Sequence, residues 1–219
     1  MSRIAVVGGH GQVARFLLDQ LVANGHQPVA LVRKEEYRAE LEAQGAEVRL
    51  LDIENQGVDA FVAAFEGCDA VVFAAGGGPD GNKERKRTVD LEGSLKSIEA
   101  ARSVGIRRFV QVSALGMDED PPADANEVWR AYVMAKRDSD AALRASDLDW
   151  TIVRPGVLTD DPGTGRVALA ETLEKADVTR ADTAAVVAAV LDERGSIGKQ
   201  WDLVGGDTPV ADAVRALLD

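Results

Sequence analysis

Residues 4 to 14, Ile-Ala-Val-Val-Gly-Gly-His-Gly-Gln-Val-Ala, leave the chain few choices, because a short apolar run enters a glycine-dense turn and emerges as a helix. Gly8 suits the tight turn after the strand, Gly9 and Gly11 leave bare backbone for an anion to approach, and Ala14 lets the helix lie close to a sheet. The N–H groups at the helix start lack intrahelical partners and face whatever occupies the turn. Glycine clusters also make ordinary corners. Here the context favours a phosphate cradle: a strand precedes it, and Phe16, Leu17, Leu18, Leu21 and Val22 follow at helical spacing until Asn24-Gly25. His10, inside the turn, is expected to act through its backbone rather than by proton transfer.

Strand-like runs at 3–8, 28–33, 47–51, 70–75, 108–113, 150–154 and 200–204 alternate with helical patterns near 11–24, 35–44, 56–66, 84–104, 126–146 and 181–193. This alternation predicts an α/β, Rossmann-like doubly wound parallel sheet with helices on both faces and ligands beyond the carboxyl ends of its strands. The 219 residues suit one domain over 1–219, with 156–180 and 195–219 forming a small C-terminal region that completes the substrate side.

A net charge of −12 opposes nucleic-acid binding, which needs a basic face, so any anion site must be local. No apolar run reaches membrane-spanning length and the N-terminus lacks a signal-peptide layout, which predicts a cytoplasmic protein with no membrane partner. The single cysteine, Cys68, reads as a buried filler. The acidic segment from Met117 to Asn126 reads as a solvated surface loop, with no ligand spacing for a metal.

At the end of the second strand, where an acidic residue would accept from both ribose hydroxyls of NAD, the chain has Arg33-Lys34. Arg33 can pair with a 2′-phosphate and stack along adenine, which favours NADP; NAD held by backbone contacts is the alternative. Asp52 and Ile53 close the third strand. The carboxylate can accept from the adenine amino group or cap the next helix, and the isoleucine can pack on the ring. Ala74, Ala75 and Gly76 end the fourth strand, small enough for the central riboses to lie against backbone.

Ser113 ends the fifth strand, next to Val112, and Tyr132-Val-Met-Ala-Lys136 lies in a predicted helix. The i, i+4 spacing puts tyrosine and lysine on one face. An ammonium there would favour the phenolate, so that Tyr132 passes a proton to a carbonyl oxygen near neutral pH while Ser113 hydrogen-bonds the same oxygen. Tyr132 could equally be an amphipathic surface side chain, and Lys136 a helix lysine paired with Asp140.

The glycine turn, Val89-Asp90-x-x-Gly93, Ser113, Tyr132-x-x-x-Lys136 and Thr151-Ile-Val-Arg-Pro-Gly156 together resemble the short-chain dehydrogenase/reductase superfamily. The likeness is to its atypical NAD(P)-binding branch, which includes proteins similar to biliverdin reductase B and NmrA-like sensors. It implies that Gly8, Gly9, Gly11 and Gln12 hold the pyrophosphate, with His10, Val13 and Val112 also against the cofactor, Arg33 the 2′-phosphate, Asp52 and Ile53 the adenine, and Ala74 to Gly76 the riboses. It further implies that Ser113, Tyr132 and Lys136 are catalytic, that Lys136 also bonds the nicotinamide ribose, and that Pro155, Gly156, Val157 and Leu158 receive the carboxamide. Thr159-Asp160 and Gly163-Thr164-Gly165 would line the substrate mouth. Three functions follow as expectations: an NADP-dependent oxidoreductase acting on a small carbonyl or flavin-like acceptor, a non-catalytic redox-sensing module, and an NAD-dependent epimerase or dehydratase.

Overall fold

Strands that are apolar on both faces need cover on both, and β1 (Arg3–Val7) meets this condition: Ala5, Val6 and Val7 are wholly buried. In the computed structural model, which describes residues 1–78 and 80–218, β1 lies within a nine-stranded sheet of order β11-β8-β10-β6-β5-β4-β1-β2-β3. Its parallel strands are β1, β2 (Gln27–Val32), β3 (Glu47–Leu50), β4 (Ala70–Phe73), β5 (Arg108–Val112), β6 (Asp149–Pro155) and β10 (Lys199–Gly205). The order reverses at β1 and β4, which opens a crevice at their carboxyl ends.

One face carries α1 (Gln12–Ala23), α7 (Arg180–Asp192) and α8 (Val210–Arg215); the other carries α3 (Val58–Phe65), α5 (Glu92–Ser103) and α6 (Glu127–Arg144). α1 docks through Val13, Ala14, Leu17, Leu18 and Leu21, whereas Phe16 and Val22, expected in its apolar stripe, face solvent. The buried set follows the i, i+3, i+4 rule more closely than the expected one did.

Three expectations need revision. The helix foreseen over 35–44 is a 3₁₀ turn (Glu35–Tyr37) followed by α2 (Arg38–Ala43). The helix foreseen over 84–104 is α4 (Lys83–Arg85), a π-helical stretch (Lys86–Leu91) and then α5. The C-terminal region adds four short strands outside the predicted set: β8 (Arg166–Ala170) and β11 (Thr208–Pro209) extend the sheet antiparallel beyond β10, and β7 (Val157–Thr159) pairs with β9 (Asp177–Thr179). Such short, half-exposed edge segments carry little hydrophobic periodicity. Among the described residues no helix is long and apolar enough to cross a membrane. Cys68 is half-buried rather than buried, and burial pushes its thiol up.

The β6–β7 corner depends on Gly156, where an added Cβ would lie 2.0 Å from the carbonyl oxygen of Ala176. That carbonyl accepts from the N–H of Val157, so it cannot swing aside without breaking the corner. Gly156→Ala should lower unfolding free energy by at least about 2 kcal/mol, read from urea transitions at constant slope.

Candidate active site

Two clefts meet at the carboxyl ends of the central strands and share Ala74, Ala75 and Gly76. The smaller, about 290 Å³, is lined by Gly8, His10, Gly11, Arg33, Asp52 and Ile53 among others. The larger, about 650 Å³, takes in Val13, Val112, Ser113, Tyr132, Lys136 and Leu158. Together they form a trough across the reversal point of the sheet.

At its middle, Gly8 adopts φ +81°, and an added Cβ would sit 2.8 Å from the Ala75 Cα. Gly9 has a different reason from the one expected: a Cβ there would lie 2.8 Å from the Ala30 side chain, so it serves packing against β2 rather than anion approach. α1 begins at the exposed Gln12 behind Gly11, with no side-chain cap and no acidic residue in its first turn. Those N–H donors are left for an outside anion, which is how a helix start fits a pyrophosphate.

At the smaller cleft, Arg33 is half-exposed, with Nη1 3.4 Å from Glu54 Oε2; Arg85 Nε lies 3.4 Å from the same oxygen. His10 does more than supply backbone: its ring stacks on Tyr37 at 3.6 Å, and Nε2 lies 3.3 Å from Glu40. The carboxylate of Asp52 accepts from the N–H groups of Glu54 and Asn55 and from Asn55 Nδ2. Burial works to raise its pKa, but these bonds and the charge of Arg33 hold it below the usual aspartate value. Asp52 therefore stitches its own turn, and α3 starts later, behind Gly57.

At the larger cleft, Asn126 caps α6 by accepting from the Trp129 N–H, which sets the helix so that Tyr132 and Lys136 both face the cavity. Lys136 pairs not with Asp140 but with Asp90, at 3.5 Å, and donates to the Val112 carbonyl at 3.2 Å. Burial opposes its charge; the carboxylate of Asp90, then Tyr132 and Asp140, outweigh burial and hold its pKa above the ordinary lysine value. The other oxygen of Asp90 accepts from the Gly77 N–H at 2.8 Å. Asp90 belongs to the π-helical stretch, where the wider turn brings both Lys86 and Asp90 inside.

Tyr132 departs from expectation. Lys136 Nζ lies 6.0 Å from its ring centroid and favours the phenolate, but burial acts more strongly, with help from Asp90 and Asp140, and the phenol pKa rises. The hydroxyl therefore keeps its proton near neutral pH.

Ser113 is also engaged. Its Oγ donates to Asp140 Oδ2 at 2.7 Å, the same oxygen that receives Arg154 Nε and Nη2 at 3.1 and 3.0 Å. Gln111 donates to the other oxygen at 2.7 Å. Arg154 then reaches out with both terminal nitrogens to Asp118, so the acidic loop is tied to β6 rather than freely solvated. Pro155 is buried at the end of β6, Leu158 lines the larger cleft and Val157 is half-exposed. Thr164 and Gly165 are gathered by Asp182, and Asp160 pairs with Arg180. Sequence reasoning assigned no role at the site to Lys86, Asp90 or Trp129, and gave Asp140 only as a surface partner of Lys136. Only Asp90 carried a signal, its place in Val89-Asp90-x-x-Gly93.

A family model for NAD(P)H-binding proteins matches residues 8–194, a span that includes every element lining the trough. The chain belongs to that NAD(P)H-binding family. It is 41% identical to a protein of Bacillus subtilis named uncharacterized sugar epimerase YhfK, over 98% of this chain and 100% of that one. A putative NAD-dependent epimerase/dehydratase from Bacillus halodurans superposes with a TM-score of 0.92 at 40% identity, covering 99% and 100% of the two chains. The oxidoreductase ylbE from Lactococcus lactis follows at 0.86 and 26%, covering 99% and 96%.

The Arg154 tether makes a pH prediction. Hydrogen bonding to Arg154 holds the Asp118 carboxyl below the usual range, so its stabilisation is complete above the unfolded value near about pH 4 and is lost as pH falls through the lower folded value. Asp118→Asn should show reduced stability at neutral pH and a shallower loss between about pH 4 and pH 2, measured by urea unfolding across that range.

Proposed function

We propose that the chain is an NADP-dependent reductase of the atypical short-chain dehydrogenase type, acting in the cytoplasm on a small carbonyl or flavin-like acceptor, with Tyr132 as proton donor. The observation that carries this reading is the position of a protonated Tyr132 in the larger cleft, beside a lysine whose charge Asp90 secures. The bound nicotinamide would supply the hydride. Gly8, His10, Gly11 and Gln12, with the open donors of α1, would hold the pyrophosphate. Arg33 would take the 2′-phosphate, releasing Glu54 as it does so. Ala74 to Gly76 would lie under the riboses, and Pro155 to Leu158 would border the nicotinamide.

Hydride addition to an acceptor leaves negative charge on its oxygen, and a phenol in reach can neutralise it. The Lys136 ammonium then stabilises the phenolate left behind, which offsets the burial that keeps Tyr132 protonated at rest. Ser113 enters this scheme as a positioning residue, since its hydrogen is given to Asp140. The epimerase names of two relatives point to another chemistry, one that begins with a base taking a proton from a sugar hydroxyl. A tyrosine whose pKa burial has raised is poorly suited to that start, and this favours the reductive direction. A purely sensing protein would bind dinucleotide without consuming it across a panel of acceptors.

Tyr132→Phe should lower kcat for a carbonyl acceptor by about 10²–10⁴-fold while leaving NADPH affinity within experimental error, as measured by stopped-flow turnover and calorimetry. Unchanged turnover would remove the proton-donor role. Arg33→Ala should weaken NADP binding by about tenfold or more and NAD binding little, a split read by titration calorimetry; equal losses would remove the 2′-phosphate role.

A further inference from the structure

Lys86 is only 6% exposed, yet it lines the larger cleft. Among the described residues its ammonium is held by the Gly78 carbonyl and by no carboxylate. The surrounding acids already have cations of their own: Asp80 has Arg85, Glu84 has Arg87, Glu127 has Lys83 and Asp90 has Lys136. A buried ammonium paired only with a backbone oxygen is costly, and a ligand anion would offset that cost.

The wall beside it has a definite chemistry. Lys86 Nζ stands 5.8 Å from the Tyr132 ring centroid, Tyr132 and Trp129 lie 5.5 Å apart, and the exposed Lys175 sits 5.5 Å from the Trp129 ring. Two aromatic faces are thus bracketed by ammonium groups at the buried and the open end. Such a wall complements a flat, unsaturated body that carries a carboxylate at its inner edge.

We propose that Lys86 is a substrate-recognition residue and that the acceptor is an acidic, planar molecule whose carboxylate it receives. This rests on the reading of the larger cleft as the acceptor's site. The carboxylate would be drawn inward past Lys175, a local attraction set against a chain of net charge −12.

The test is binding rather than turnover. Naphthoate and the neutral naphthamide, matched in shape, are titrated calorimetrically into the intact protein saturated with NADP⁺ or NAD⁺. Naphthoate should bind at least about tenfold more tightly, and added salt should weaken it alone. Lys86→Met should bring the two affinities together, Lys86→Arg should keep them apart, and Lys175→Met should leave most of the difference intact. Equal affinities in the unaltered chain, failure of both probes to bind, or a preference that survives Lys86→Met overturns the proposal. Should Lys86→Met fail to fold, the unaltered chain still decides through the affinity ratio and its salt dependence, and Lys175→Met decides which lysine is responsible. A preserved naphthoate preference in a protein that consumes no NADPH would sink the reductase reading and leave charge recognition standing.

Discussion

Burial of the sheet on both faces is the constraint from which the rest of the molecule follows. With α1, α7 and α8 on one side and α3, α5 and α6 on the other, the central strands offer neither face to a ligand. Only their carboxyl ends remain open, and the order reverses there between β1 and β4. Every polar group found in the trough is therefore carried on a strand end, on the loop that follows it or on the first turns of a helix. The shared stretch Ala74 to Gly76 joins the two clefts because small side chains at the end of β4 leave the floor of the trough clear.

Two buried charge groupings then place the polar chemistry. Asp90 spans from the glycine-rich segment to α6 by accepting from Gly77 and pairing with Lys136. Asp140 gathers Ser113, Gln111 and Arg154, linking α6 to β5 and β6. Carboxylates this deep are tolerated only with their partners in place: removing Asp90 would leave the buried Lys136 without its carboxylate, whereas Arg154 would keep Asp118 if Asp140 were lost. A serine at a strand end and a tyrosine four residues from a lysine do not alone make a working trio. In this chain the serine answers to Asp140 while the lysine answers to Asp90.

Much of the fold was legible from local pattern. The β1 run, the turn at Gly8 and the α1 helix are contiguous, so period and turn chemistry suffice to read them, and Arg33 could be placed at a strand end and hence at the cleft. Two kinds of feature were hidden. The π-helical stretch begins at the end of Lys-Glu-Arg-Lys-Arg, a run whose composition reads as a solvated basic face, and one extra residue in a turn leaves no periodic trace. The charge pairings join residues far apart in the chain, Ser113 with Asp140 and Asp118 with Arg154, so spacing rules for a single helix pointed instead to Lys136 with Asp140. The tyrosine's acidity was misjudged for the same reason, since burial is a property of the packed whole.

The α6 helix carries Asp140 at its inner end and Lys136 and Tyr132 one and two turns earlier. Because a helix advances about 1.5 Å per residue, the backbone at Tyr132 lies about 12 Å along the helix from Asp140, which an ion pair to Arg154 on β6 and a hydrogen bond from Gln111 on β5 hold in place. The helix thus works as a jig: it is clamped at Asp140, and its earlier turns hold Lys136 and Tyr132 at a set height in the larger cleft. Lys86, by contrast, hangs from a separate segment with its own backbone irregularity. A change of side chain at Lys86 can therefore alter the wall of the larger cleft without moving Tyr132, because the two hang from separately anchored segments.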